Sequence, residues 1–193
     1  MKSERRKQKI HSVLSRRQPD LTLVMENIHD PHNVSAMLRT ADAVGIHEVQ
    51  LVYTTQKFPR IGSKSSSSAN KWISRRKFHS IPECYDTLRR EGFQILATRL
   101  DESAQQLYSF DLTVPTAFVF GNEHAGVTDE AADLADATVF IPMMGMIQSL
   151  NVSVACAVTV YESLRQRLAS GKYAEPRFAL DVLERLETEW LKK

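Results

Sequence analysis

The chain has 193 residues, 42% of them hydrophobic, and a formal net charge of +2. That length suffices for one α/β unit with a real core and short extensions, and the near-neutral balance excludes a uniformly basic coat of the kind that binds nucleic acid over its whole surface. No apolar run reaches membrane-spanning length, and His11 and Ser12 interrupt the apolar stretch 10–14, which predicts no cleaved secretion signal.

Residues 4–17 read as a short basic helix whose apolar edge is Ile10, Val13 and Leu14, ended by Gln18-Pro19-Asp20. A buried strand follows at 21–25. A helix at 34–44 carries Met37, Leu38 and Ala41 on one side and closes at Gly45. The pattern then gives a strand at 48–53, a Ser-rich loop at 62–70, a helix at 82–91 closed by Gly92, and a strand at 93–98. Further on come a strand at 115–120, a helix at 128–135, a strand at 138–141 and a long helix at 152–169. A last helix places Val182, Leu183, Leu186 and Trp190 on one face. Five short apolar strands alternating with helices predict an α/β fold with a mostly parallel sheet covered on both faces. The expected division is a basic helical extension over 1–19, a central unit over 20–172 and a C-terminal helix over 173–193.

Charge is patchy. Arg5, Arg6, Arg16 and Arg17 crowd the first helix; Lys71, Arg75, Arg76 and Lys77 form a second knot; Arg165, Arg167 and Lys172 form a third. Such patches can contact phosphates, although a solvated surface is the simpler reading of any one of them. Cys84 and Cys156 are distant in sequence and belong to no CxxC pattern, as expected of reduced packing residues in a cytoplasmic protein. No GxGxxG follows the first strand, no GxxxxGK[ST] loop is present, and no Cys/His set has zinc spacing. A dinucleotide-binding dehydrogenase, a P-loop ATPase and a metal site are therefore not expected.

Three segments at strand ends carry the chemistry. Residues 26–33 join the first strand to a helix, with Asn33 placed to cap it and Arg39 further along. Gly121-Asn122-Glu123 follows another strand; Glu123 is open to reading as a base, a hydrogen-bond acceptor or a helix-dipole partner. The third is Ile141 to Asn151, an apolar, Met- and Gly-rich loop ending in Ser149-Leu150-Asn151 at a helix start. It suits a small ligand with an apolar body and polar edges.

Taken together, Asn33 with Arg39, Gly121-Asn122-Glu123 and Ser149-Leu150-Asn151 resemble the three motifs of the SpoU branch of the SPOUT RNA methyltransferases. The phrases Gln18-Pro-Asp-Leu-Thr, Pro31-His-Asn-Val-Ser-Ala, Arg39-Thr-Ala-Asp-Ala-Val-Gly and Gln148-Ser-Leu-Asn-Val-Ser-Val-Ala look more narrowly like the members that methylate the 2′-hydroxyl of guanosine 18 in the tRNA D-loop. The resemblance implies a C-terminal trefoil knot, a homodimer with the active site near the subunit interface, and S-adenosylmethionine as cofactor. It places cofactor contacts on Thr98, Gly121, Ile141, Met146 and Leu150, with Met143 and Met144 near the methionine moiety. It implies catalytic roles for Arg39, Asn33, Glu123, Ser149 and Asn151, with Arg39 as general base or as the group that orients a phosphate. RNA contacts are expected from Arg5, Arg6, Arg16, Arg17, Arg165 and Arg167. The rival readings are the same chemistry on another tRNA position or on ribosomal RNA, and a non-catalytic RNA-binding module.

Overall fold

The computed structural model describes residues 4–59 and 69–193; most of the predicted Ser-rich loop lies outside them. In chain order the elements are α1 (Glu4–Leu14), β1 (Leu21–Glu26), α2 (Pro31–Ala43), β2 (Glu48–Val52), α3 (Ala69–Trp72), β3 (Ser74–Phe78), α4 (Ile81–Arg90), β4 (Gln94–Thr98), β5 (Gln105–Gln106), β6 (Thr116–Phe120), α5 (Asp129–Asp133), β7 (Ala137–Phe140), α6 (Val152–Ala169) and α7 (Leu180–Lys192).

The described strands form one parallel sheet in the order β3-β2-β1-β6-β4-β7-β5. β1, all six residues buried, and β6, all five buried, lie side by side at its centre. Their side chains face apolar layers on both sides, which is why they read as continuous apolar runs without alternation. Val34, Met37, Leu38 and Ala41 of α2 pack with Cys156 and Val160 of α6 over one face of the sheet. Cys84, Tyr85 and Leu88 of α4 pack with Ala131 of α5 over the other. A third cluster joins Ile10 and Leu14 of α1 to Leu183, Leu186 and Trp190 of α7.

Two strands escape the periodicity reading. β3 is the sequence Ser-Arg-Arg-Lys-Phe on the sheet edge, where charge protects an unpaired strand from further pairing. Arg75, Arg76 and Lys77 of the second knot of charge therefore lie on a strand. β5 has only two residues, both exposed. The start of α2 also moves forward. Asp30 is its N-cap, accepting from His32 N at 2.7 Å, and Pro31 opens the first turn, so Asn33 sits inside the helix and is not the cap. Asn151 does cap α6, its Oδ1 accepting from Ser153 N at 2.9 Å.

This order places the candidate site. From β1 the chain steps to β2 and then β3 on one side; from β6 it steps past β4 to β7 on the other. The loops that leave the carboxyl ends of the neighbours β1 and β6 therefore diverge and open a crevice between them, the usual ligand position in an open α/β sheet.

Candidate active site

The crevice brings the three sequence segments together. Glu123, in the loop after β6, lies under the loop after β1: its Oε2 accepts from His29 N at 2.9 Å, and its Oε1 from Asp30 N at 3.0 Å and Asn33 Nδ2 at 2.9 Å. Asn33 Oδ1 in turn accepts from Asn151 Nδ2 at 3.1 Å. One chain of hydrogen bonds thus links β6, α2 and α6. Partial burial would raise the Glu123 carboxyl, but the donors from Asn33, His29 and Asp30 hold it below its ordinary range. An anion so engaged is a positioning group and a poor base.

A second hub braces the crevice. Asn27 adopts φ +49°, a left-handed conformation that asparagine tolerates better than most residues. Its carbonyl accepts from Asn122 Nδ2 at 3.0 Å and from Gln56 Nε2 at 2.7 Å. Its Oδ1 accepts from Thr54 N and Thr55 N. Below it, the buried carboxylate of Glu26 accepts from Thr128 N at 3.1 Å and Thr128 Oγ1 at 2.6 Å, tying β1 to the start of α5. A Cβ on Gly121 would collide with the backbone of Gly126 and Val127, so the tight return of this loop demands glycine.

Beside this network lies an open cleft of about 830 Å³, within the usual range for small-molecule sites. Thr98, Gly121, Ile141 and Leu150, which the resemblance assigns to the cofactor, and Glu123, Ser149 and Asn151, which it assigns to catalysis, all line it. The Thr98 hydroxyl donates to Val119 O at 2.7 Å, tying β4 to β6 beside the cleft. Met143 lines the cleft, whereas Met146 does not: it is 99% exposed on the outside of the loop, and Met144 is almost as exposed. The mixture of apolar side chains, strand-end backbone groups and one carboxylate fits a cofactor with an adenine-like body and charged ends.

Arg39 is exposed on α2, outside the cleft lining, and no hydrogen bond or ion pair engages it among the described residues. Two other arginines move for the opposite reason. Arg17 and Arg167, expected on the RNA surface, are fully buried. Arg17 pairs with Asp42 at 2.5 Å, donates to Ile46 O at 2.6 Å and stacks over Trp190. Arg167 pairs with Asp20 at 2.5 Å. Neither can reach a phosphate. Arg5, Arg6, Arg16 and Arg165 are exposed, Arg165 pairing with Glu162.

Sequence reasoning gave no individual role to Glu26, Asn27, Gln56 and Asn122, although three of them lie in its segments. A charged residue ending an apolar strand was a usable signal for Glu26; an Asn directly after it was one for a left-handed turn. Gln56 had none, since its partner lies far away in sequence.

Residues 20–161 match the SpoU rRNA methylase family, and the chain belongs to the SpoU methylase family. Over its whole length it is 45% identical to the tRNA (guanosine(18)-2′-O)-methyltransferase of Thermus thermophilus, spanning 98% of that protein. The structure of the TrmH/SpoU tRNA modifying enzyme of A. aeolicus superposes with a TM-score of 0.91 at 35% identity, covering 97% of this chain and 95% of that one. The SpoU methyltransferase AviRb of Streptomyces viridochromogenes, solved in complex with AdoMet, gives a TM-score of 0.68 at 28% identity over 80% of this chain and 62% of its own.

Proposed function

We propose that the protein methylates the 2′-oxygen of guanosine 18 in the tRNA D-loop, using S-adenosylmethionine. The carrying observation is the Glu123–Asn33–Asn151 chain, which binds the three family motifs into one constellation at the mouth of the cleft. The cofactor supplies a methyl group on a cationic sulfonium. Thr98, Gly121, Ile141 and Leu150 would hold it, and Met143 replaces Met146 beside its methionine end.

The chain's own residues do the rest by positioning. Glu123 fixes the loop that carries His29 and Asp30, and Asn151 fixes the start of α6, so donor and acceptor are held against a rigid frame. Ser149, exposed at the cleft rim, is within the same segment. A guanidinium is a poor base, so the part of Arg39 is to hold a substrate phosphate and orient the hydroxyl beside it.

The reading includes a homodimer. Met144, Met146 and Ile147 of the cleft loop and Val154, Tyr161 and Leu168 of α6 are exposed large hydrophobic residues, a surface that suits a second copy. Such a copy would cover the outward-facing Met146 and bring further groups to the unpaired Arg39. The reading also includes the family's C-terminal trefoil knot, residues 20–172 as the methyltransferase unit with helical extensions on either side, and a cytoplasmic location. Arg5, Arg6, Arg16 and Arg165 grip tRNA phosphates.

The test is transfer of labelled methyl from S-adenosylmethionine to unmodified tRNA, with the product nucleotide mapped. Label on the 2′-oxygen of guanosine 18 is expected. Label at another position, or on ribosomal RNA alone, would overturn the substrate, and absence of both transfer and cofactor binding would overturn the enzyme.

A further inference from the structure

The crevice has two halves. Ligand-sized space over β4, β6 and β7 takes the donor. In-line transfer needs the acceptor on the far side of the methyl group, which leaves the half built by the loops after β1 and β2. His29 stands there. It is exposed, its backbone N–H donates to Glu123, and its Nδ1 lies 2.6 Å from Gln56 Oε1.

The Gln56 contact sets the proton on this imidazole. The Asn27 carbonyl has no hydrogen to give, so the Gln56 atom facing it is the NH2 group, and the atom facing His29 is the amide oxygen. An oxygen there accepts, so Nδ1 carries the hydrogen and neutral His29 is left with a bare, exposed Nε2 lone pair. Asn27 is itself locked by its bonds to Thr54, Thr55 and Asn122, so the ring has a rigid support.

Beyond His29 the same half of the molecule is basic. Lys57, Arg75 and Lys77 are exposed and form no ion pair among the described residues, and Arg75 lies over the Phe58 ring. A hydrogen-bond acceptor backed by free cations fits a nucleotide whose base edge donates and whose flanking phosphates are anionic. Guanine presents two adjacent donors, N1–H and N2–H, on its Watson–Crick edge; adenine presents an N1 acceptor beside a single N6–H donor.

We propose that His29, pinned by Gln56, is a substrate-contacting and specificity-determining residue: its Nε2 accepts from the N–H edge of the acceptor guanine, which docks on the β1–β2 side of the crevice. This rests on the guanosine reading above. The test compares the intact protein with His29→Ala and Gln56→Leu on tRNA transcripts bearing guanosine, inosine or adenosine at position 18. Cofactor affinity, measured by calorimetry, serves as the check on folding. Loss of the acceptor is expected to lower kcat/KM on guanosine about 10-fold or more, mainly through KM, and to narrow the preference over adenosine by a similar factor. Gln56→Leu, which frees the ring, is expected to fall between. Unchanged preference in His29→Ala, with guanosine still methylated by the parent protein, would overturn this proposal alone. Methylation of a nucleotide other than guanosine by the parent protein would overturn it together with the reading beneath it.

Discussion

Strand β1 is gripped by a polar network at each end. At the amino end Arg167 donates from Nε to Leu112 O, from one terminal nitrogen to Gln18 Oε1 and Asp20 Oδ1, and from the other to Asp20 O and Val114 O. All five of its N–H groups are used, with water excluded. At the carboxyl end Glu123, Asn33 and Asn151 bond to one another at a solvent-facing cleft, and Arg39, exposed further along α2, has no partner among the described residues. The residue types are alike; burial and partner count separate them. A fully satisfied, buried arginine locks the frame, while an exposed arginine without partners among the described residues is open to an external anion.

The largest effect tests the amino end. Arg167→Ala removes one partner of a buried pair, strips Asp20 of its nearest cation and leaves Gln18 Oε1 and Leu112 O without their donor, so a loss of about 3–5 kcal/mol is expected in denaturant unfolding. Acid sharpens the point. Burial alone would raise the Asp20 carboxyl, but Arg167, with Lys172 and Arg177, holds it below its ordinary 3.8. A carboxyl lowered by folding contributes stability that is present above that value and is lost as pH falls below it. Removal of Arg167 should therefore flatten the acid limb of the stability profile. A variant that unfolds with the parent's midpoint and acid dependence would contradict the bracket.

Arg39→Ala tests the carboxyl end and should give the reverse pattern. Turnover on tRNA is expected to drop about 100-fold or more, the scale of losing a preorganised charge at a reacting centre. Melting temperature and cofactor affinity should stay at parent values, because the side chain bonds to nothing among the described residues. Loss of stability in place of activity would put Arg39 in the same class as Arg167.

How far the sequence showed this contrast differs between the two ends. The central strands β1, β2, β4, β6 and β7 were legible because strands buried on both faces are written as apolar runs. β3 was not, because an edge strand is free to be charged. The carboxyl-end site was legible as three motifs at strand ends, and Thr98, Gly121, Ile141 and Leu150 do share one cleft. Arg17 and Arg167 were misread as surface charge. Their partners Asp42 and Asp20 lie 25 and 147 residues away along the chain, and local pattern carries no such distance. Met146 departs for another reason: the resemblance placed it on the cofactor, but its side chain is 99% exposed and outside the cleft lining, which Met143 joins.

The smallest expected effects lie on the outer helices, and they separate exposed arginines from one another. Arg5 and Arg6 have no carboxylate partner among the described residues, whereas Arg165 donates from two nitrogens to Glu162 at 2.8 Å. If α1 grips tRNA, each of Arg5→Ala and Arg6→Ala should weaken binding a few-fold and reduce the slope of log affinity against log salt by about 1. Arg165→Ala should change that slope less, since a guanidinium already neutralised by its neighbour releases fewer counterions on meeting a phosphate. Binding titrations across a salt series read this directly, and kcat at saturating tRNA should not move, because none of the three touches the crevice. Equal slopes for all three variants would mean that the Glu162 pair opens on binding, and an unchanged slope for Arg5 and Arg6 would remove α1 from the RNA surface.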